Sequence, residues 1–354
     1  ATRVTVIDVS QPDAPVVIRT VDVEGWYVDA RRMDADLYLV VSRYAEIPWD
    51  LLDRVWDPTL GLPEVDWDIT EQEREEATDA ARQILRPIVE AALAGTALED
   101  LLPRVVDAGP GDTGSARVLL ECSDVYHPAG TSVPSVLAVV HLDLADGPGG
   151  DLGGTGLMAD GWTVYASQDH LYVAQSSWGW WWGWGELDVQ THIHRFALDG
   201  PNTEYEASGA VDGWLLNRYS MGEYQGHLRI ATTDFGSQWS GQEPEEDPAS
   251  NVFVLARSGP DLTVVGELRG VAPGEQIYSA RFQGDRGFLV TFEQVDPLFT
   301  LDLSDPTSPT VVGELEVPGY SAYLHPVGND HLLAVGMDGT EEGAITGLAV
   351  SLFD

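Results

Sequence analysis

The sequence predicts an all-β protein assembled from repeated units of four short antiparallel strands. In residues 274–319 four β-rich runs follow one another, IYSARF, GFLVTFE, LFTLDLS and TVVGELEV. Apolar and polar residues alternate within each run, which is the period typical of strands. The turn sequences GDRG and SDPTSP separate the first two runs and the last two. Four strands in about 45 residues have the size of one propeller blade.

An internal repeat is the second observation that predicts a β-propeller. Residues 300–319, TLDLSDPTSPTVVGELEVPG, align without gaps with a stretch near the N-terminus. The matched pairs are Asp8 with Asp302, Pro12 with Pro306, Pro15 with Pro309, Gly25 with Gly319, and Trp26 with Tyr320. Glycines mark the boundaries between units, at Gly25, Gly161, Gly213, Gly274 and Gly319. We therefore expect one propeller domain over residues 1–354, with roughly five to seven four-stranded antiparallel blades and roughly six favoured.

The two ends of the sequence resemble parts of a blade. The N-terminal runs match the third and fourth strands of the unit, and the last unit ends after three strands, with AVSLFD. Propellers commonly complete one blade with strands from both termini. The N-terminal pair could therefore sit beside the C-terminal strands, or each end could build its own sheet.

A helical insertion interrupts the repeats at about residues 44–117. Thr70 and Glu73 have the spacing of a capping box, and an acidic run with helical periodicity follows them. We expect Pro87 to break or kink this helix and Gly95 to end it. Strand patterning resumes at ARVLLECSDVYH, so the insertion falls between the second and third strands of one blade.

The composition limits the partners and the location of the protein. The formal net charge is −40, and all 18 basic residues are arginines. Such a surface repels phosphate backbones and anionic lipids, which argues against nucleic acid and membrane-surface partners. It suits high salt or divalent cations, and simple acidic solubility explains it equally well. We expect no membrane insertion, because no run approaches the roughly 20 apolar residues of a membrane span.

A tryptophan-rich run is the most unusual local feature of the sequence. Five tryptophans with interspersed glycines lie between two predicted strands: Trp178, Trp180, Trp181, Trp182 and Trp184. An exposed cluster of this kind stacks on sugar rings or packs into a protein partner. The alternative is a long hairpin whose rings pack on the blade itself.

Two further groups of residues have the chemistry of metal ligands. Oxygen ligands for Ca²⁺ could come from Asp234, Glu243, Glu245, Glu246 and Asp247, although a solvated acidic loop is the simpler interpretation. His192 and His194 lie two residues apart on one face of a predicted strand and could bind a transition metal. His127 or His141 could be a third ligand only if the fold brings it close to this pair. Hydrogen bonding within or between blades is the alternative for this histidine pair.

Other polar residues are expected to have structural roles. Asp8 and Asp302 occupy matching repeat positions, and with Asp296 they are expected to hold turns through side-chain to backbone hydrogen bonds. Cys122 stands alone and is expected to be a buried, inert thiol. The sequence contains no G-x-S-x-G, no P-loop, no HExxH, and no G-x-G-x-x-G after a strand.

Four segments resemble the secreted bacterial and archaeal β-propeller domain proteins, distant relatives of WD40 propellers. They are GEQIYSARFQGDRGFLVTFEQVDPLFTLDLSDP, VDGWLLNRYSMGEYQGHLRIATT, VYASQDHLYVA and GYSAYLHPVGNDHLLAVG. The resemblance covers most of the chain and is weak through residues 44–117. It implies an extracellular, cell-surface or periplasmic propeller without an established activity, and it assigns no functional residue. Members usually carry further sequence on both sides of the segment that corresponds to this chain.

The function predicted from these observations is that of an exported, non-enzymatic binding or scaffolding module. Its partner would be a protein or a carbohydrate bound through the tryptophan-rich run, and Ca²⁺ could stabilise it. One alternative is a hydrolase or metal-dependent enzyme with its site at the central channel. A second alternative is a structural subunit of a larger extracellular assembly.

Overall fold

The structure is a computed structural model, and it confirms an all-β chain. It describes residues 1–44, 57–63, 70–128, 133–150, 152–177, 189–235, 248–292, 296–317, 319–328, 330–340 and 344–354. Within these ranges there is one α-helix, and the other regular elements are strands and single 3₁₀ turns. The described residues divide into two units, the first with residues 1–160 and 199–203 and the second with the other described residues.

The first unit contains two sheets, whose strands are antiparallel except for one short pair, and the helix. Its strands are β1 (Thr2–Asp8), β2 (Val16–Val23), β3 (Trp26–Met33), β4 (Asp36–Tyr44), β5 (Arg104–Ala108), β6 (Arg117–Val118), β7 (Val125–Tyr126), β8 (Ser135–Asp143) and β9 (Leu152–Leu157). One sheet has the order β1-β2-β5-β6, and the other has the order β3-β4-β8-β9-β7, in which β7 runs parallel to β9. The pair β1–β2 is thus extended by β5 of its own unit.

Apolar residues from both sheets form the core of the first unit. Val21 and Val23 of β2 cluster with Leu39 and Val41 of β4 and with residues of β8. Buried residues alternate with part-buried ones in β2, so this strand buries one face, whereas β4 and β8 are buried on both faces. The guanidinium of Arg19, which is 1% exposed, pairs with the Asp107 carboxylate at 3.0 Å and thereby joins β2 to β5.

Helix α1 (Glu71–Leu93) begins at the predicted capping box. The Thr70 hydroxyl accepts from the Glu73 backbone, and the Glu73 carboxylate accepts from the Thr70 backbone at 2.8 Å. Pro87 was expected to break or kink the helix; it does not break it, because α1 continues through Pro87 to Leu93, and a kink stays a prediction. Gln83, whose carbonyl Pro87 leaves without its helical donor, is exposed, so water can satisfy that carbonyl. The predicted insertion also contains β5, which belongs to a sheet.

The second unit contains three sheets. Its strands are β10 (Thr163–Ala166), β11 (His170–Ser177), β12 (Gln190–Ala197), β13 (Glu204–Asp212), β14 (Trp214–Leu215), β15 (Met221–Tyr224), β16 (His227–Asp234), β17 (Ala249–Ser258), β18 (Asp261–Val271), β19 (Gln276–Gln283), β20 (Arg286–Phe292), β21 (Asp296–Asp302), β22 (Thr310–Val317), β23 (Tyr320–Val327), β24 (His331–Gly339) and β25 (Ile345–Phe353).

The sheets of the second unit have nine, four and three strands. The four strands predicted in residues 274–319 form one antiparallel sheet, β19-β20-β21-β22. The nine-stranded sheet joins β10–β13 to β14–β18 through a single parallel pairing of Ser208 with Asp261. A uniform set of four-stranded blades is therefore not what the described residues show, and the number of blades stays a prediction.

The internal repeat extends to the hydrogen-bond register of the strands. In β1–β2 the register shifts between Val6 and Ile7, which leaves Ile18 as an extra residue. In β21–β22 it shifts between Thr300 and Leu301, which leaves the matching residue Val312 as the extra one. The hairpins β12–β13 and β17–β18 carry shifts of the same kind. A β-bulge in the fourth strand is thus part of the repeat.

The turns of the repeat are held as predicted. The Ser10 backbone donates to Asp8 Oδ1 at 2.8 Å, and the Ser304 backbone donates to Asp302 Oδ1 at 2.9 Å. These hydrogen bonds favour the ionised carboxylates, so the pKa of Asp8 and the pKa of Asp302 lie below their usual values. The side chain of Asp296 is not described, and its turn role stays a prediction.

Two junction glycines approach the backbone of a neighbouring strand closely. Gly25 and Gly319 have φ values of 130° and 92°, a region that L-residues rarely adopt. A Cβ on Gly25 would lie 2.9 Å from the Ser42 carbonyl oxygen, and one on Gly319 would lie 2.0 Å from that of Met337. Glycine is therefore needed at these two positions, where one repeat leads into the next.

Replacing Gly319 with alanine is expected to destabilise the fold by more than about 2 kcal/mol, because the new Cβ meets backbone atoms that cannot move away. Gly328, with φ 65° and open space around its Cβ position, is the matched control. Gly328→Ala should cost only the strain of the left-handed conformation, about 1 kcal/mol. Urea unfolding measures both values, and equal losses would contradict the close approach at Gly319.

Candidate functional site

Two long connections leave the nine-stranded sheet at the same end. Strand β11 ends at Ser177, which pairs with Gln190 of β12, and the tryptophan-rich run connects them. The Gly213 backbone donates to the Val189 carbonyl at 2.6 Å, and Gly213 directly precedes β14. Trp178, Trp180, Trp181, Trp182 and Trp184 themselves lie outside the described residues.

The second connection joins β16 to β17. Asp234, the last residue of β16, pairs with Ala249, and Thr233 lies opposite Trp214 of β14. Because Trp214 directly follows Gly213, both connections start from the same end of the sheet. Glu243, Glu245, Glu246 and Asp247 lie outside the described residues, so the Ca²⁺ hypothesis stays a prediction.

Buried hydroxyls hold the strand ends beneath these connections. The Ser176 and Thr191 hydroxyls lie 2.8 Å apart, and Thr191 donates to the Gly213 carbonyl at 2.7 Å. The Leu215 backbone donates to Ser176 Oγ at 3.0 Å. At the second connection, the Ile277 backbone donates to Thr233 Oγ1 at 3.0 Å. The two loops therefore start from strand ends fixed by hydrogen bonds.

The histidine pair lies on β12, inside the nine-stranded sheet. His194 is buried, and its Nδ1 lies 2.5 Å from the Ser208 hydroxyl. Burial lowers the pKa of His194 to about 4, with a smaller contribution from His192, and burial also lowers the pKa of His192. Among the described residues no group of three or more His, Cys, Asp or Glu is placed to hold a metal ion. Hydrogen bonding thus accounts for His194, and metal binding by the pair stays a prediction.

The other residues considered as ligands or nucleophiles belong to the first unit. His127 is exposed, and His141 is buried with its Nε2 at 2.6 Å from Asp36 Oδ1. The prediction that Cys122 is buried is wrong, because its side chain is exposed. Cys122 begins a 3₁₀ turn, Cys122–Asp124, and the strand pattern on either side does not continue through it.

A polar network that sequence reasoning missed centres on His170, at the start of β11. His170 Nδ1 lies 2.8 Å from Glu223 Oε1, and Ser167 Oγ donates to Glu223 Oε2 at 2.6 Å. Arg195 Nη2 lies 2.6 Å from His170 Nε2. A guanidinium can only donate, so His170 Nε2 is the acceptor of this hydrogen bond. His170 Nδ1 then carries the hydrogen and donates a hydrogen bond to the Glu223 carboxylate.

Glu206 closes the network on its other side. It accepts from Arg195 Nε at 2.7 Å and from Arg257 Nη1 at 2.6 Å. Burial opposes ionisation of Glu223, but the hydrogen bonds from His170 and Ser167 prevail and hold its pKa below the usual value. Both nitrogens of His170 are occupied, so the network joins β11, β12, β13, β15 and β17 and offers no base to a ligand.

A second feature missed from the sequence is a cavity of about 330 Å³ in the first unit, which we call the aromatic cavity. It is lined by Ala1, Glu24, Gly25, Trp26, Tyr27, Arg43 and Tyr44. The exposed fractions of Trp26, Tyr27 and Tyr44 are 74%, 59% and 55%. The only signal for this cavity in the sequence is the aromatic residue that follows a junction glycine. The same signal is found at other repeat junctions, so it does not single out this position.

Hydrogen bonds fix one of these rings from below. Tyr44 donates its hydroxyl to Asp160 Oδ2, and Ser42 donates to Asp160 Oδ1 at 3.0 Å. The hydrogen bond to Asp160, together with burial and the nearby negative charge, raises the pKa of Tyr44 to about 12. Tyr44 thus stays a neutral phenol over the physiological range, with its ring against the cavity.

The repeated hairpins and their junction glycines agree with what comparison with known proteins finds. A family model described as the beta propeller domain matches residues 1–354. The chain belongs to the beta propeller domain family. The resemblance inferred from the sequence is thereby confirmed. In the described part of this beta propeller domain chain, no helix has both the length and the apolar character to cross a bilayer.

Two archaeal relatives share part of the beta propeller domain sequence. An uncharacterized protein of Methanocaldococcus jannaschii is 44% identical over 147 residues, which are 42% of this chain and 22% of the relative. An uncharacterized protein of Archaeoglobus fulgidus is 44% identical over 165 residues, which are 47% of this chain and 23% of the relative. Each match covers less than a quarter of the relative's length, and neither name states an activity.

The buried histidine predicts an acid sensitivity. Below about pH 6.5 the unfolded chain binds a proton at residue 194 that the folded protein binds only near pH 4, so stability is lost as the pH falls through this window. Between neutral pH and about pH 4, the shifted pKa of His194 alone should lower the free energy of unfolding by about 3 kcal/mol. The lowered pKa of His192 adds in the same direction.

The free energy of unfolding, measured by urea unfolding at several pH values from about 4 to about 7, tests this acid sensitivity. His194→Gln should flatten the pH dependence, while the same change at the exposed His325 should leave it intact. A His194→Gln protein with the wild-type pH dependence would contradict a neutral, buried His194.

Proposed function

We propose that this beta propeller domain protein is a non-enzymatic binding module whose recognition surface is formed by the β11–β12 and β16–β17 connections. The observation that carries the proposal is that both connections start from the same end of one sheet. In each case the strands below are fixed by hydrogen bonds to buried hydroxyls. Rigid strands with variable loops at one end are the usual arrangement of a binding surface.

The chemistry of the two connections indicates the class of partner. The β11–β12 connection carries five tryptophans within seven residues, from Trp178 to Trp184. Tryptophan offers a large apolar face with little loss of side-chain entropy, which suits stacking on a sugar ring or packing into a protein. The partner is therefore a carbohydrate or a protein, and the test below separates the two.

The acidic connection contributes charge to the same surface. Residues 243–247 read EPEED, and Asp234 stands at the end of β16 just before this connection. Carboxylates at such spacing are suited to Ca²⁺, which would fix the loop and neutralise part of its charge. Calcium stabilisation is part of the proposal, and a thermal melt in which EGTA replaces CaCl₂ without effect would remove it.

The non-enzymatic character is supported by the His170 network. Among the described residues of the second unit, His170 and Glu223 pair as an imidazole and a carboxylate can in acid–base catalysis, yet Arg195 occupies the remaining nitrogen of His170. A general base must have a nitrogen or oxygen free to accept a proton from a substrate. Arg195 would have to move before His170 could act in this way.

Export to the cell exterior, a role as a subunit of a larger assembly, and organisation as a single propeller are further proposals. Export is supported by the sequence resemblance to secreted proteins. Protease accessibility on intact cells tests export, and native mass spectrometry tests assembly. A protein found only inside the cell, or only as a monomer, would contradict the respective proposal.

Replacement of Trp178, Trp180 and Trp182 by alanine should abolish binding and leave the fold intact, because residues of a recognition loop contribute little to the core. The probe is a printed panel of neutral and acidic glycans, with chemical cross-linking to cell-surface proteins as the second arm. The melting temperature should fall by less than about 4 °C.

Trp162→Ala is the matched control, since Trp162 is 52% exposed and lies outside the connection. Its binding should equal that of the wild type. A fall of the melting temperature by more than about 10 °C in the triple variant would show that the rings are part of the core and would overturn the recognition role.

A further inference from the structure

Strand β22 is the last strand of the sheet β19-β20-β21-β22, and its outer edge is open. Among the described residues β22 pairs with β21 alone. Its counterpart in the internal repeat is β2, which pairs with β1 on one side and with β5 on the other. The pairing with β5 is antiparallel and extends from Thr20 with Ala108 to Val23 with Val105. The outer edge of this strand of the repeat can therefore accept a further strand.

The added strand changes the burial of the strand beside it. Val21 of β2 is fully buried and belongs to the same core cluster as Val105 of β5. The ungapped alignment of the repeat places Leu315 of β22 at the position of Val21. Leu315 is 49% exposed, and the bulge residue Val312 is 61% exposed. Apolar side chains thus lie exposed along an open strand edge, which is the arrangement that pairs with another chain.

The charges on β22 indicate which kind of strand its edge accepts. Glu314 and Glu316 lie on the face opposite to Leu315, and both are exposed. The residues that face them on β21, Phe299 and Pro297, carry no charge. In the part of the chain that the structure describes, neither carboxylate makes a hydrogen bond or an ion pair. Opposite charges on paired strands stabilise the pairing, so the edge favours basic side chains opposite the two glutamates.

The same charges argue against a second copy of this chain as the partner. Two β22 strands paired with each other would bring the glutamates of one chain close to those of the other, and like charges destabilise such a pair. Each chain also carries a net charge of −40, which repels a second copy. A basic partner is attracted by this charge, so its association is accelerated.

We propose that the outer edge of β22 binds an extended, basic segment of a partner protein by β-augmentation. The segment adds as an antiparallel strand, as β5 adds to β2. Arginine or lysine lies opposite Glu314 and Glu316, and an apolar residue lies opposite Leu315. Backbone hydrogen bonds supply the affinity, and the alternating side chains supply the specificity. The proposal uses neither the tryptophan-rich nor the acidic connection, so it stands or fails independently of the recognition surface.

The test measures binding of a fluorescent peptide to the full chain by anisotropy, in about 0.15 M NaCl to screen general attraction to the acidic surface. In this peptide, about eight residues long, valine and arginine alternate. The control peptide replaces valines by proline, which keeps the charge and removes backbone N–H groups. The first peptide should bind and slow hydrogen exchange in residues 310–317, as measured by mass spectrometry, and the control peptide should do neither.

Reversal of the charges on β22 locates the binding site. The double variant Glu314→Arg, Glu316→Arg should bind the basic peptide roughly five- to thirtyfold more weakly, and it should bind a peptide in which glutamate replaces arginine. The matched control, Glu75→Arg with Glu76→Arg, makes the same change of charge at exposed residues of α1 and should leave binding unchanged. Circular dichroism should confirm that both variants are folded.

Four results would overturn the proposal. Equal binding of the valine and proline peptides would show general attraction to an acidic surface. Full protection of the β22 amides in the free chain would show that another part of the protein or a second copy already covers the edge. No binding of the basic peptide, or a charge reversal on β22 with no more effect than the control on α1, would exclude this edge as the site.

Discussion

The rest of the fold depends on one constraint, the β-bulge that shifts the register in the hairpins β1–β2, β12–β13, β17–β18 and β21–β22. Because side chains alternate between the two faces of a strand, one extra residue reverses which residues beyond it face the core. Ile18 and Val312 are the extra residues of matching hairpins, and Glu206 holds the same place in β12–β13. The bulge at Glu206 directs a carboxylate to Arg195 and Arg257, so the feature that ends regular pairing also positions the polar network.

The hairpins recur along the chain, whereas the connections between them differ in length and composition. The β4–β8 connection contains α1, the β11–β12 connection carries the tryptophans, and the β16–β17 connection carries the acidic run. All three occupy the same place in the repeat, between its second and third strands. In the first unit the aromatic cavity lies at the end of β4, where such a connection starts.

The sequence predicted the features that depend on local chemistry. The alternating strands, the capping box at Thr70 and the turns at Asp8 and Asp302 each involve residues close together in the chain. Contacts between distant residues were not predictable: the Tyr44 hydroxyl donates to Asp160, and β2 pairs with β5. The continuation of α1 through Pro87 and the exposure of Cys122 depend on whether water reaches the position, which periodicity does not reveal.

Disulfide trapping in β1–β2 tests the bulged register most directly. In a Cys122→Ser background, cysteines at Ile7 and Val17, which are paired across the bulge, should oxidise rapidly to one cross-linked species. Cysteines at Ile7 and Ile18, which a regular hairpin would pair, should remain largely reduced, as measured by mass spectrometry after thiol alkylation. Rapid cross-linking of the second pair in place of the first would show a hairpin without the bulge and would contradict the repeated register.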